Sequence, residues 1–182
     1  MSGYKLRLIL YSSVEVYREL IVPDYITFKQ LHGIIQKMFN FDDYHSWDFK
    51  VPKTLPDGES FDLNSAERSI YDDEVDTLTI NEIFDENDVV VYNYDYGDDW
   101  EIIVYNIEKV DYNNKTALIT DYVGKYSPMD DMGGVMVFDE IMEYIDDPEE
   151  LEYALGEYGL TKGNLSKMDF EKKYKKGSRI RI

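Results

Sequence analysis

The feature that most constrains this chain is the alternation near its start. In YKLRLILY, residues 4–11, Lys5 and Arg7 interleave with Leu6, Leu8 and Leu10, and successive side chains of a strand point to opposite faces. A strand of this kind buries one face and wets the other, so it calls for a sheet with its core on one side. After Ser12-Ser13 the run VEVYRELIVP from Val14 alternates again and stops at Pro23, which predicts a hairpin. DVVVYNY and DWEIIVYNIEKV, separated by the glycine-containing turn DYGD, predict a second hairpin. HSWDFKV from His45 and KTALITDYVG each read as one further strand.

Helical signals lie between and after these strands. Thr27 and Gln30 have capping-box spacing, and Phe28, Leu31, Ile34, Ile35, Met38 and Phe39 recur at helical intervals. They predict one long N-terminal helix over about Phe28 to Asn40. LTINEIF reads as a helical turn capped by Thr79, and VMVFDEIMEYIDD, PEELEYALGEYG and part of SKMDFEKKYKKG read as C-terminal helices. The stretch VPKTLPDGESFDLNSAERSIYDDEVD, broken by Pro52, Pro56 and Gly58, reads as a long loop. The expected class is therefore α+β: a mainly antiparallel sheet built from hairpins, packed by one long N-terminal helix and several C-terminal helices. At 182 residues a single domain over 1–182 is expected.

Charge and cysteine content narrow the function. The net charge is −19, and its distribution is uneven. Residues 162–182 carry a net +6, so the rest of the chain carries −25, and no Lys or Arg occurs from Tyr126 to Thr161. Phosphate contact needs Lys and Arg, so nucleic acid is not an expected partner except through Lys162 to Ile182, whereas a cationic protein partner is. The expected conformation of that basic segment is folded back on the acidic body. With no cysteine there are no disulfides, thiolate metal sites or cysteine nucleophiles. Runs such as LRLIL and VVVY are too short to span a bilayer, and the N-terminal segment lacks a signal-sequence pattern, so a soluble, cytoplasmic protein with no membrane partner is expected. The sequence has no G-x-S-x-G elbow, P-loop, H-E-x-x-H helix or G-x-G-x-x-G fingerprint.

Two acidic loops hold the candidate site. In YNYDYGDDW, Asp95 and Gly97 suit a tight turn clamped by Tyr94 and Trp100, while Asp95, Asp98 and Asp99 also offer oxygen ligands to Mg²⁺ or Ca²⁺. In PMDDMGG, Asp130 and Asp131 suit caps for the following helix, and Gly133 and Gly134 allow another segment to come close. Alternatively Asp98, Asp99, Asp130 and Asp131 form a divalent-metal site, with His32 or His45 as a general base. The two loops are expected to be neighbours.

Three blocks, LHGIIQKMFNFDDYHSWDF (31–49), YNYDYGDDWEIIV (92–104) and YSPMDDMGGVMVFDEI (126–141), together resemble the family named after a third open reading frame of an Agrobacterium-type root-inducing plasmid. Its members are also described as passenger proteins of insertion elements, with a resolvase-like label taken from genomic neighbourhood. The resemblance implies an α+β domain of uncharacterised molecular function encoded near mobile elements. Where the family often has a glutamate, an aspartate and a cysteine before the glycine pair, this chain has Asp130, Asp131 and Met132, so chemistry built on that cysteine cannot operate here. The expected function is a non-enzymatic interaction module requiring no cofactor. The alternative is a divalent-metal-dependent hydrolase of phosphoesters, and an acidic DNA mimic is the third reading.

Overall fold

The computed structural model describes every residue except Glu59. The alternation of the first run is realised in β1 (Ser2–Leu10), where Tyr4, Leu6, Leu8 and Leu10 are buried. On the opposite face Lys5 and Arg7 pair with Glu19, at 3.1 and 2.8 Å. β2 (Tyr17–Pro23) returns antiparallel beside it. The remaining strands are β3 (Trp47–Thr54), β4 (Phe61–Ile70), β5 (Val89–Tyr94), β6 (Trp100–Asp111), β7 (Thr116–Val123) and β8 (Arg179–Arg181). All eight form one sheet in the order β4-β3-β5-β6-β1-β2-β7-β8, with every neighbouring pair antiparallel.

The helices are short: α1 (Phe28–Phe39), α2 (Asn81–Phe84), α3 (Gly134–Glu143), α4 (Pro148–Glu157) and α5 (Lys162–Met168). The α+β class holds, but its detailed description needs correction. Among the described residues the structure is a single eight-stranded antiparallel sheet with short helices, and there is no long N-terminal helix. α1 starts at the expected capping box, where Thr27 accepts from the Gln30 N–H and Gln30 accepts from the Thr27 N–H. It stops at Asn40, which takes the left-handed conformation that ends helices (φ 60°), and its twelve residues span only about 18 Å.

Two further expectations fail for local reasons. The predicted long loop contains β4, an edge strand whose side chains are mostly solvent-facing and so show no alternating apolar pattern. Thr79 does not cap α2, whose N-cap is Ile80; it is bridged to Thr27 and bonds the side chains of Asn81 and Glu82.

The basic C-terminal segment is part of the fold. Met168, Phe170 and Ile180 are buried, β8 pairs with β7, and Lys176 meets Asp121 at 2.5 Å. Phe170 covers the buried Arg18, whose guanidinium carbon lies 4.0 Å from the ring centroid. Among the described residues, no helix is long and apolar enough to cross a membrane.

Candidate functional site

Sheet order builds the site, because β3, β5 and β6 are adjacent and deliver two loops to the same end of the sheet. The α1–β3 loop, residues 40–46, crosses the β5–β6 turn and is pinned there by hydrogen bonds from backbone N–H groups. Asp95 N donates to the Ser46 carbonyl at 3.0 Å, and Tyr44 N donates to the Tyr94 hydroxyl at 3.2 Å. The PMDDMGG loop approaches from the α3 side. Asp130 Oδ2 accepts from Asp42 N at 2.8 Å and from the Tyr94 hydroxyl at 3.1 Å. Burial raises the Asp130 carboxyl above its usual range, and these bonds pull it partly back. The same burial, with the Asp130 charge adding to it, pushes the Tyr94 hydroxyl up.

The two acidic loops touch. Asp98 Oδ2 accepts from Gly133 N at 3.2 Å, and a Cβ on Gly134 would stand 2.6 Å from the Asp98 carbonyl oxygen. The start of α3 is therefore served by Asp98 from the other loop, and the expected caps Asp130 and Asp131 do not perform that role: its N-cap is Gly133, with no side-chain cap. The turn itself is also built differently from expectation. Asp95 and Asp99, at φ 56° and 54°, take the left-handed conformations, while Gly97 does not; Asp99 N closes on the Asp95 carbonyl at 2.6 Å. Aspartate is among the few side chains that tolerate this region. Trp100 is fully buried opposite Tyr94 and packs against Phe41.

Of the residues singled out in the sequence, His45, Asp95 and Asp131 come together. His45 Nε2 lies 3.5 Å from a carboxylate oxygen of each aspartate, and all three donor atoms lie within 4.8 Å of one another. His45 Nε2 is itself enclosed and forms no hydrogen bond. Asp95 is buried and Asp131 is exposed. Asp98, Asp99 and Asp130, read as metal candidates with Asp131, fall outside this grouping.

His32 stands apart in a satisfied network. Its ring stacks on Trp47, with centroids 3.8 Å apart. Nδ1 lies 2.7 Å from the Tyr92 hydroxyl and Nε2 lies 2.8 Å from Asp43, while Gln36 Nε2 donates to the same hydroxyl at 2.8 Å. One proton arrangement serves every contact: Gln36 to Tyr92, Tyr92 to Nδ1, and Nε2–H to Asp43. Burial pushes His32 below its ordinary value, against the opposite pull of Asp43. Sequence reasoning named both histidines, and Tyr92 as one of the tyrosines around the second hairpin, but neither Gln36 nor Asp43. The only signal for those two was their place in the family-like block 31–49.

Beside His45 a groove of about 600 Å³ is lined by Lys29, Tyr44, Trp47, Asp72, Asp76 and Tyr96 among others. Tyr44 is 82% and Tyr96 61% exposed, and the Tyr96 hydroxyl donates to Asp48 at 2.7 Å.

The fold and this three-loop end define an α+β domain with one antiparallel sheet and an aromatic, anionic polar end. The chain belongs to the family of plasmid pRiA4b ORF-3-like proteins, whose model matches residues 3–170. It is similar to a protein of unknown function from Methanosarcina mazei Go1, solved by crystallography, with a TM-score of 0.65 and 25% identity over 85% of this chain and 87% of that one. Comparison with the curated proteins finds no match.

Proposed function

We propose that this domain is a non-enzymatic binding module that takes a cationic segment of a protein partner in the groove beside His45. One observation carries the reading. Two exposed tyrosine rings, Tyr44 and Tyr96, flank a groove lined by Asp72 and Asp76, and its lysine, Lys29, is already paired with Asp76 at 2.7 Å. Aromatic faces beside carboxylates suit arginine and lysine side chains, which stack on the rings and pair with the acids. The uses of the neighbouring groups agree: His32 is bonded at both nitrogens, and Asp98 and Asp130 accept backbone N–H groups. Fluorescence anisotropy with a labelled oligo-arginine peptide tests the reading. The wild type should bind in a salt-sensitive way, and the Tyr44→Ala/Tyr96→Ala double variant should bind about tenfold more weakly, at roughly 0.5–1 kcal/mol per exposed contact. Equal affinity for both proteins would end it.

A second reading, a divalent-cation site at His45, Asp95 and Asp131, is favoured by the enclosed, unbonded His45 Nε2 facing two carboxylates. An imidazole with two carboxylates suits Zn²⁺ or Mn²⁺ better than the oxygen-only preference of Ca²⁺ does, and such an ion would polarise a phosphoester for hydrolysis. Calorimetric titration with Zn²⁺, Mn²⁺ and Mg²⁺ decides it. Saturable binding lost in His45→Asn and Asp131→Asn, with about 2.7 kcal/mol of stabilisation at a hundredfold excess over Kd, supports the ion. No saturable heat rejects it.

A further inference from the structure

A second surface, away from the His45 groove, has its own chemistry. Two cavities of about 640 and 340 Å³ share Val14 and Met142, so they form one trough between α3 and the β1–β2 loop. The floor is apolar: Val14, Met142 and Ile145 are half-buried against the core, and Val16 is buried. Met136, at the open end, is 82% exposed. The rim is anionic, with Asp139, Glu140, Glu143 and Asp146 contributed from α3 and just beyond it.

We propose that this trough is the docking site for a basic amphipathic helix of a partner protein. Two of the rim carboxylates have internal work: Asp139 accepts from Ser13 N at 2.9 Å and Glu140 from the Tyr158 hydroxyl at 2.6 Å. Among the described residues the side chains of Glu143 and Asp146 make no hydrogen bond or ion pair, so their charge is available to a partner. Among the described residues, Lys125, at one end, is the only cation lining the trough. An apolar floor between carboxylates selects a ligand with an apolar stripe and flanking lysines or arginines, which is the pattern of an amphipathic basic helix lying in a groove. Charge complementarity of this kind sets orientation and on-rate, while the floor supplies burial. Methionine side chains are flexible and polarisable, so Met136 and Met142 can adjust to different apolar side chains. The ten residues of α3 present about 15 Å of length, enough for two to three turns of such a helix.

The probe is a synthetic amphipathic peptide of leucine and lysine, with a leucine–glutamate peptide of the same pattern as control. Binding is followed by anisotropy and by the methyl resonances of Met136 and Met142 in ¹³C-methyl-methionine protein. The basic peptide should shift both methyls, the acidic control neither. Glu143→Gln/Asp146→Asn should weaken binding about tenfold, with the loss shrinking as salt rises. Met136→Ser should weaken it at all salt concentrations. The Tyr44→Ala/Tyr96→Ala variant should bind the peptide as the wild type does, which separates this surface from the His45 groove. Unmoved methionine methyls, or full affinity in the Glu143→Gln/Asp146→Asn protein, would overturn the proposal. Concentration-dependent self-association that shifts the same methyls without peptide would overturn it in favour of a second copy of the chain.

Discussion

Arg18 is a guanidinium with no carboxylate in salt-bridge range among the described residues, yet it is fully buried. Its Nη1 donates to the carbonyls of Tyr17 and Val123 at 2.8 and 2.5 Å, and its Nη2 donates to Ser127 Oγ at 3.0 Å. Burial pushes its pKa down to about 9, still high enough to keep the charge at neutral pH. Methionine at this position fills similar space but leaves those acceptors unpaired, at about 1–3 kcal/mol each. Arg18→Met should therefore lower the unfolding free energy by several kcal/mol, read as a lower urea midpoint, and unchanged unfolding curves would show the cluster to be dispensable. His32 makes a different kind of prediction. Its folded pKa lies below the ordinary value, so below about pH 6.5 the unfolded chain takes up a proton that the folded protein refuses. Stability should fall as pH drops through that value, by at most about 1.4 kcal/mol per pH unit, and the slope should flatten in His32→Gln. Denaturation curves of both proteins between about pH 5 and 7 check the difference. At this scale the sequence was informative about residue types and uninformative about partners. His45, Asp95 and Asp131 stand out as chemistry-bearing residues, but nothing in a linear string sets Asp95 beside His45 and turns Asp98 towards Gly133. Those choices follow from which strands are neighbours.

The elements were legible where their burial is lopsided. α1 announces itself through a capping box and a 3.6-residue apolar repeat, and β1 through strict alternation, because each buries one face only. β4 hides because it is an edge strand with little to bury, and β8 because RIR is three residues within a lysine-rich segment. The junction of the two acidic loops rests on the glycine pair before α3. Gly133 and Gly134 both have positive φ, at 99° and 77°, and Gly134 leaves no room for a Cβ against the Asp98 carbonyl. Gly134→Ala should therefore combine backbone strain with a clash that drives α3 away from the β5–β6 turn. We expect a loss of about 1–3 kcal/mol, together with amide chemical-shift changes at Asp98, Gly133 and Asp131. A variant as stable as the wild type with unshifted amides would mean that the loops do not depend on this contact.

At the scale of the whole molecule, the basic tail packs on the acidic body. Lys176 reaches Asp121, Lys162 reaches Glu152 at 2.8 Å, and Lys173 bonds the Asn40 side chain. Exposed pairs contribute only about 0–1 kcal/mol each, so the buried side chains of Met168, Phe170 and Ile180 must do most of the anchoring. The strand order has a consequence in time. β1 ends at Leu10, but one of its two sheet neighbours, β6, begins at Trp100, and β2 waits in the same way for β7, which begins at Thr116. During synthesis, the first hairpin leaves the ribosome with both outer edges open until more than half of the chain has followed. The centre of the sheet is thus assembled late, by pairings that close long loops, and refolding should be slow for a protein of this size, on the millisecond-to-second scale. Stopped-flow fluorescence of Trp47 and Trp100, which lie on strands either side of β5, would report that closure, and microsecond refolding would contradict it. Until β6 arrives, the nascent β1 edge is the part of the chain most exposed to mispairing with another chain, and a chaperone that shields strand edges would have its greatest effect there.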